Sequence, residues 1–405
     1  MTPLRLKGAV HPADRLRGST SSHLAGKRIV LGVTGSIAAV KSVEVARELI
    51  RHGADVVPVM TRAATRILHP DALEFATGHA PVLELTGATE HVRDADADLL
   101  VVAPATGNTV AKLALGIDDT TVTTYFTARR EKRRTIVAPA MHETMWESPP
   151  LQARLAELRA MGVTVLDPFF EEGKAKLPEP DAIVEHVLRA LGPGTLAGKR
   201  VLVVNGSTLE PLDDMRVVTN RSSGRMGVAL ARGAWRLGAD VEMWFGHGHV
   251  EHPRHLPTRR FVTIADLQAL APEAARFDAV LVPAAISDYG PARSEGKIPS
   301  EKGALELRLA PLPKFLVALR RHFRGVLVPF KAESGLPHAE LVQRARRSLE
   351  ANDAAFVVAN DLGEVALDST SALLVDRATA VPVSGTKDEV AAAVLARLAQ
   401  ELRRS

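Results

Sequence analysis

The chain has no cysteine. That excludes disulfides, thiolate metal sites and any cysteine nucleophile or proton donor. Aromatic residues make up only 4% of it, beside 46% apolar and 24% charged residues, which is the balance of a soluble globular protein. No apolar run reaches the roughly 18–20 residues needed to span a bilayer. The first 23 residues are basic but lack the apolar stretch of a signal peptide, so a partly ordered N-terminal arm and a cytoplasmic location are expected. A formal charge of +4 is too small to argue for nucleic acid. At 405 residues the chain is too long for one ordinary core and points to two domains.

The two halves start alike. LAGKRIVLGVTG (24–35) and LAGKRVLVVNG (196–206) each carry a Gly-Lys-Arg lead-in, a β-branched apolar run and a glycine turn. The Gly/Pro-rich LGPGTLAG (191–198) reads as a linker, which places the boundary near residue 193. The expected organisation is an arm at 1–23 and domains at 24–192 and 193–405. In both halves apolar runs alternate with helical patterns, as in RIVLGVT, ADVVPVMT, ADLLVVAPA and RTIVAPAM, then RVLVVNG, DVEMWFG, AVLVPAA and GVLVPFK. Such runs predict parallel sheets covered on both faces, hence two tandem doubly wound, Rossmann-like α/β domains. Ligands of such sheets lie at the carboxyl ends of the strands.

In the first half those ends are GVTGSIAAVKS, PVMTRAAT, VVAPATGNTVAK and VAPAMHETMW. Gly35 and Ser36 open a helix, where free N–H groups favour a phosphate. Thr61 shares that rim, and Thr106 and Asn108 offer groups for the edge of a flat ring. A helix N-cap accounts equally well for Thr106 or Asn108 taken singly. These motifs, with Lys41 in GSIAAVK and His91 ahead of ADLLVVAPATGNTVAK, resemble the homo-oligomeric flavin-containing cysteine decarboxylases, whose domain is flavodoxin-like. The resemblance implies that Gly35, Ser36, Thr61, Thr106 and Asn108 bind FMN and that His91 is the catalytic base. A histidine is suited to take a proton near neutral pH. His142 stands where most of the family carries an asparagine that holds the substrate carboxylate, with Met145 beside it. Many members also carry a proton-donating cysteine in a later flap. Here that flap reads EEGKAKLPEP (171–180), and with His11–Pro12 it resembles the archaeal branch. His142, Lys174 and Lys176 are three candidates for the missing proton.

In the second half, VNGSTLEPLDDMRVVTNRSSGRMGVALA (204–231) ends a strand in a long polar loop and opens a helix with NRSSGRMG. Ser222, Ser223 and Gly224 form an anion site there, and Arg216 and Arg225 add charge. Asp288, directly after a strand, suits Mg²⁺, and Lys297 and Lys302 suit a triphosphate. With LPKFL and FKAES, this half resembles the phosphopantothenate–cysteine ligase domain. The resemblance implies that Asn220 stabilises an acyl-cytidylate, that Lys297 assists its formation, and that Asp288, Pro313 and Phe330 lie around CTP. Arg344, Arg346 and Arg347 are candidates for further phosphate contacts. Two other stretches draw bland readings: HGHVEHPRH (247–255) as an exposed loop rather than a zinc site, and ARREKRR (128–134) as solvated surface.

The domain order is that of the bifunctional coenzyme A biosynthesis enzymes. It implies CTP-dependent joining of cysteine to 4′-phosphopantothenate, then FMN-dependent oxidative decarboxylation to 4′-phosphopantetheine. It also implies a homo-oligomer of decarboxylase trimers and ligase dimers, without nucleic-acid or membrane partners. One alternative keeps the ligase and gives the first half an impaired or regulatory flavin-binding role, because the cysteine is missing. Another is a flavoprotein binding subunit without turnover.

Overall fold

The computed structural model describes residues 11–299, 304–361, 363 and 369–404. The chain divides into two compact units, Met1–Gly192 and Pro193–Ser405.

The first unit has strands β1 (Arg28–Val33), β2 (Asp55–Met60), β3 (Leu99–Ala105), β4 (Thr135–Pro139), β5 (Met141–His142), β6 (Thr164–Val165), β7 (Phe169–Glu171) and β8 (Lys174–Lys176). Five form a parallel sheet in the order β2-β1-β3-β4-β6. The runs do not alternate because both faces are covered. Ile29, Leu31 and Val33 join one core with Val45 and Leu49 of helix Ser42–Arg51, while Val30 joins the other with Leu113 and Leu155. The strand order reverses between β1 and β3, which opens a crevice at their carboxyl ends.

The second unit adds β9 (Arg200–Asn205), β10 (Leu209–Pro211), β11 (Val217–Thr219), β12 (Asp240–Phe245), β13 (Thr258–Arg260), β14 (Ala279–Val282), β15 (Tyr289–Pro291), β16 (Leu309–Pro311), β17 (Val326–Glu333), β18 (Val357–Asp361), β19 (Ser369–Val375) and β20 (Ala380–Thr386). Its main sheet runs β13-β12-β9-β14-β17-β18-β19-β20. The reversal falls between β9 and β14. This sheet is not wholly parallel, as the apolar runs had suggested: β18, β19 and β20 pair antiparallel. The Asp376 carboxylate makes the β19–β20 turn, accepting from the N–H groups of Ala378 (2.8 Å) and Thr379 (2.6 Å).

Two further expectations are corrected. Residues 11–23 are not an arm but part of the first unit. His11 caps helix Pro12–Leu16, Ala13 is fully buried, and Gly18 donates to Ile50 O at 3.0 Å. The basic run 128–134 is not all solvated. Arg129 is buried and donates to Ala97 O at 2.8 Å, while Lys132 donates to Thr127 O and Arg129 O near the end of helix Thr121–Thr127. Among the described residues no helix is long and apolar enough to cross a membrane.

One close approach organises the second unit. The buried Asn205 at the end of β9 donates Nδ2 to Gly224 O at 2.8 Å and fills the space beside Gly227 in helix Arg225–Arg236. A Cβ on Gly227 would lie 2.1 Å from Asn205 Cγ. Gly227→Ala is therefore expected to cost about 1–3 kcal/mol by overpacking, read as a lower denaturant midpoint for the second unit.

Candidate active sites

At the first crevice three loops are drawn together. Thr34 is buried; its hydroxyl donates to Pro104 O (2.8 Å) and accepts from Thr106 N (3.0 Å), which latches the loop after β1 to the loop after β3. Gly35 has no room for a side chain, because a Cβ there would lie 2.6 Å from Ala63 Cβ in the loop after β2. Ser36 caps the short turn Ile37–Lys41, and Thr61 Oγ1 accepts from Ala64 N at 3.3 Å. Thr106 caps helix Gly107–Leu115 through Thr109 N at 3.2 Å, and Asn108 is exposed on its first turn. All five predicted cofactor residues thus lie just beyond the carboxyl ends of β1, β2 and β3, on the loops there or, for Asn108, on the first helical turn. Thr34 was missed; its signal was a hydroxyl directly after a buried run.

His91 lies half-buried in the short helix Glu90–Arg93, and its Nδ1 is buried without a hydrogen-bond partner among the described residues. A buried orphan donor or acceptor of this kind calls for a role. The helix is fastened at both ends. Thr86 hydrogen bonds hold the Glu90 carboxyl down at about 2. Buried Asp94 pairs with Arg93 (3.0 Å) and Arg28 (3.4 Å) and accepts from Tyr125 OH at 3.2 Å. Burial first, then the Asp94 charge, pushes the Tyr125 hydroxyl above its ordinary range.

The flap is a three-stranded antiparallel sheet, β5-β8-β7. β7 and β8 are joined by Glu172 and Gly173, both at positive φ (52° and 66°), as a tight two-residue hairpin requires. The register aligns His142 with Lys174 and Lys174 with Glu171. Directly paired residues share a face. The opposite row, Met141–Ala175–Phe170, carries the fully buried Ala175, and Trp146 meets Phe170 edge-on at 6.1 Å. Lys176 is held by Glu171 (2.6 Å) and Glu172 (3.0 Å), and these bonds raise its pKa. Among the described residues, the ion pair of Lys174 is with Glu172 at 3.9 Å. Met145 is half exposed and reaches over the start of the Thr106-capped helix, 3.5 Å from where a Cβ of Gly107 would stand.

The second crevice is a cleft of about 1200 Å³ whose lining includes Asn220, Ser222, Ser223, Gly224, Asp288, Pro313 and Phe330. Asn220 Nδ2 donates to Ile286 O (3.1 Å) and Ala285 O (3.4 Å) beyond β14. Gly224, at φ +77°, is the N-cap of helix Arg225–Arg236, and Ser222 Oγ accepts its N–H at 3.3 Å. The helix start therefore faces the cleft with its positive end. Lys314, the lysine of LPKFL, was not singled out from the sequence; its Nζ pairs with Asp288 at 2.5 Å. Among the three arginines after Phe330, Arg347 lines the cleft, Arg344 also lines it but is tied to Glu333 and Glu340, and Arg346 donates to Asp376 O and Ala378 O.

Lys297 is exposed on the segment after β15, and Lys302 lies outside the described residues. Arg216 does not line the cleft but pairs with buried Asp213 at 2.7 Å. In the 247–255 loop His252 is tilted against Phe245 and His255 against Trp235. Among the described residues no three His, Cys, Asp or Glu side chains form a metal group. Asp288, expected to hold Mg²⁺, is a single carboxylate already paired with a lysine.

A doubly wound unit with a flap over its crevice, followed by a second whose cleft is built on a glycine-capped helix, defines a flavoprotein–ligase tandem. The Flavoprotein family model matches residues 17–192, and the model of the DNA/pantothenate metabolism flavoprotein C-terminal domain matches residues 196–402. The chain is 42% identical over 379 residues to the coenzyme A biosynthesis bifunctional protein CoaBC of Thermococcus kodakarensis, covering 91% of this chain and 93% of that one. It is 35% identical over 396 residues to the protein of the same name from Methanocaldococcus jannaschii, covering 96% and 97%. The chain belongs to the family of coenzyme A biosynthesis bifunctional proteins, and these archaeal relatives agree with the branch that its flap resembles.

Asp213 sets an acid limit on the second unit. Burial works to raise its carboxyl, but bonds from the N–H groups of Ile298, Met215 and Arg216 outweigh that and bring it from 3.8 to about 2. A lowered folded-state pKa contributes stability above the unfolded value and loses it as pH falls through the folded one. In acid titration the wild-type second unit should lose stability between 3.8 and about 2, and Asp213→Asn should flatten that loss.

Proposed function

We propose that the chain carries out both reactions of its family: CTP-dependent ligation of cysteine to 4′-phosphopantothenate in the second unit, and FMN-dependent decarboxylation of the product in the first. The observation that carries this reading is that each unit gathers its motif residues at the carboxyl edge of its own sheet, at the point where strand order reverses.

In the second unit the substrate carboxylate attacks the α-phosphate of CTP, forming an acyl-cytidylate and releasing pyrophosphate. The cysteine amine then attacks the acyl carbon, the amide forms and CMP leaves. The helix start at Gly224, with Ser222 and Ser223, holds an anionic group. Asn220, oriented by two carbonyls, stabilises the acyl-cytidylate. Pro313 and Phe330 border the nucleotide, Asp288 contacts it once Lys314 turns to its phosphates, and Lys297 assists the first step. Mg²⁺ enters with the triphosphate as its counterion, and Asp288 is a carboxylate of the cleft wall able to meet it.

In the first unit the loops latched by Thr34 and Gly35 offer a polar edge at Ser36, Thr61, Thr106 and Asn108. Exposed Ile37 and Val40 lie beside it, and that mixture fits a flat ring carrying a phosphate. Bound FMN supplies a two-electron acceptor and donor. His91 takes the thiol proton with its free ring nitrogen. His142 and Lys174, side by side on the flap, hold the carboxylate until it leaves as CO₂. Lys176 is occupied by Glu171 and Glu172, so Lys174 is the better proton source for the product. This paired arrangement favours turnover over a regulatory first unit, despite the missing cysteine. The same reading carries an assembly of decarboxylase trimers and ligase dimers.

Asn220→Ala should lower CTP-dependent ligation by about 10²–10³-fold, with CO₂ release from phosphopantothenoylcysteine unchanged. Unimpaired ligation would sink the assignment. Lys174→Ala and His142→Ala should each lower CO₂ release by about 10²-fold while the flavin spectrum stays intact. Lys176→Ala should change it little, and equal losses at Lys174 and Lys176 would count against the clamp.

A further inference from the structure

Asp213 sits in LDDMR, between β10 and β11, and uses every acceptor position it has. Oδ1 accepts from Met215 N (2.8 Å) and Arg216 N (2.6 Å). Those two bonds are enough to form the turn. Oδ2 does something a turn does not need: it accepts from Ile298 N at 3.1 Å, 85 residues along the chain, and from the Arg216 guanidinium at 2.7 Å. Arg216 in turn donates to Ile298 O at 3.2 Å. Both backbone polar groups of the residue after Lys297 are therefore held by one carboxylate–guanidinium pair.

Neighbouring bonds extend the clasp. Ser294 N donates to Leu212 O (2.9 Å), Asp214 N to Gly296 O (3.4 Å), and Arg293 pairs with Asp214 at 3.1 Å. The segment 294–298 is thus laid along 212–216, while Lys297 itself stays exposed. At its other end the clasp continues through β11 directly into Asn220, whose amide is held by Ala285 and Ile286.

We infer that Asp213 is a positioning residue for ligation: its buried carboxylate fixes the backbone of the Lys297 segment relative to Asn220, so that the Lys297 ammonium and the Asn220 amide meet the same reacting group. The inference rests on the reading of Lys297 in acyl-cytidylate formation. Arg216 then acts through the clasp, by closing the second backbone group of Ile298, rather than from the cleft wall. A buried carboxylate with four donors is a costly arrangement to maintain for a loop of this size, and a hairpin alone would not require it.

The test follows pyrophosphate release from the full chain with CTP and 4′-phosphopantothenate. Asp213→Asn keeps an acceptor for the turn but turns an N–H toward Ile298 N, so it breaks the clasp with little change to the fold. It is expected to lower kcat by about 10–100-fold, the scale of a roughly 1 Å misplacement, with KM for CTP little changed. The denaturant midpoint at neutral pH falls as well, because the carboxylate's stabilisation is lost, so rates are compared under conditions where both proteins are fully folded. Asp213→Ala should do the same. The deciding measurement is a double-mutant cycle with Lys297→Ala: if Asp213 acts through Lys297, the double variant is no slower than Lys297→Ala alone. Losses that multiply, a wild-type rate for Asp213→Asn, or a rise in KM at constant kcat would each overturn the clasp. Lys297→Ala at the wild-type rate would instead overturn the reading of Lys297 on which it rests.

Discussion

Burial of both faces of β1, β3, β9 and β14 takes every side chain of these strands but the leading Arg28 and Arg200 out of solvent, and the rest of the molecule follows from that. Polar chemistry is left only the loops beyond the strand ends, and strand order decides which loops meet. In both units the order reverses beside the first strand, so the loops after that strand and after its later neighbour diverge and leave a crevice. Thr34 in one unit and Asn205 in the other are buried polar residues at those crevices. Thr34 ties two loops together, and Asn205 ties the end of β9 to the start of a helix.

The two crevices are completed by different means. The second unit presents a helix start capped by glycine, a fixed positive end that needs no ionisable group to hold an anion. The first unit relies on a separate small sheet. Its tight Glu172–Gly173 turn folds β8 back between β5 and β7 and stacks an apolar row under a charged one. The apolar row anchors the sheet through Ala175, Met141 and the Trp146–Phe170 contact. The charged row is thereby left facing outward with its cations divided: Lys176 neutralised by two glutamates, Lys174 beside His142.

A chain without cysteine must find its proton donors among nitrogen and oxygen groups, and the flap shows how position sorts them. Two lysines two residues apart share a face but not an environment, because Glu171 and Glu172 lie closer to one. The same sorting appears among Arg344, Arg346 and Arg347, which are alike in sequence and differ in the carbonyls and carboxylates they meet.

The repeated Gly-Lys-Arg lead-ins, the unbroken apolar runs and the NRSSG and PATGN loops were legible because burial on both faces and glycine-dependent turns leave a local imprint. Two doubly wound units and the positions of most candidate site residues at the strand ends follow from them. What tertiary structure alone decided depends on partners far along the chain. The antiparallel β18-β19-β20 edge, the packing of residues 11–23, the Lys314–Asp288 pair and the alignment of His142 with Lys174 are of this kind. So is the reach of Asp213 to Ile298. A lone histidine, lysine or aspartate carries no local sign of its partner, because hydrogen bonds and ion pairs form over about 3 Å of space and are indifferent to separation in sequence.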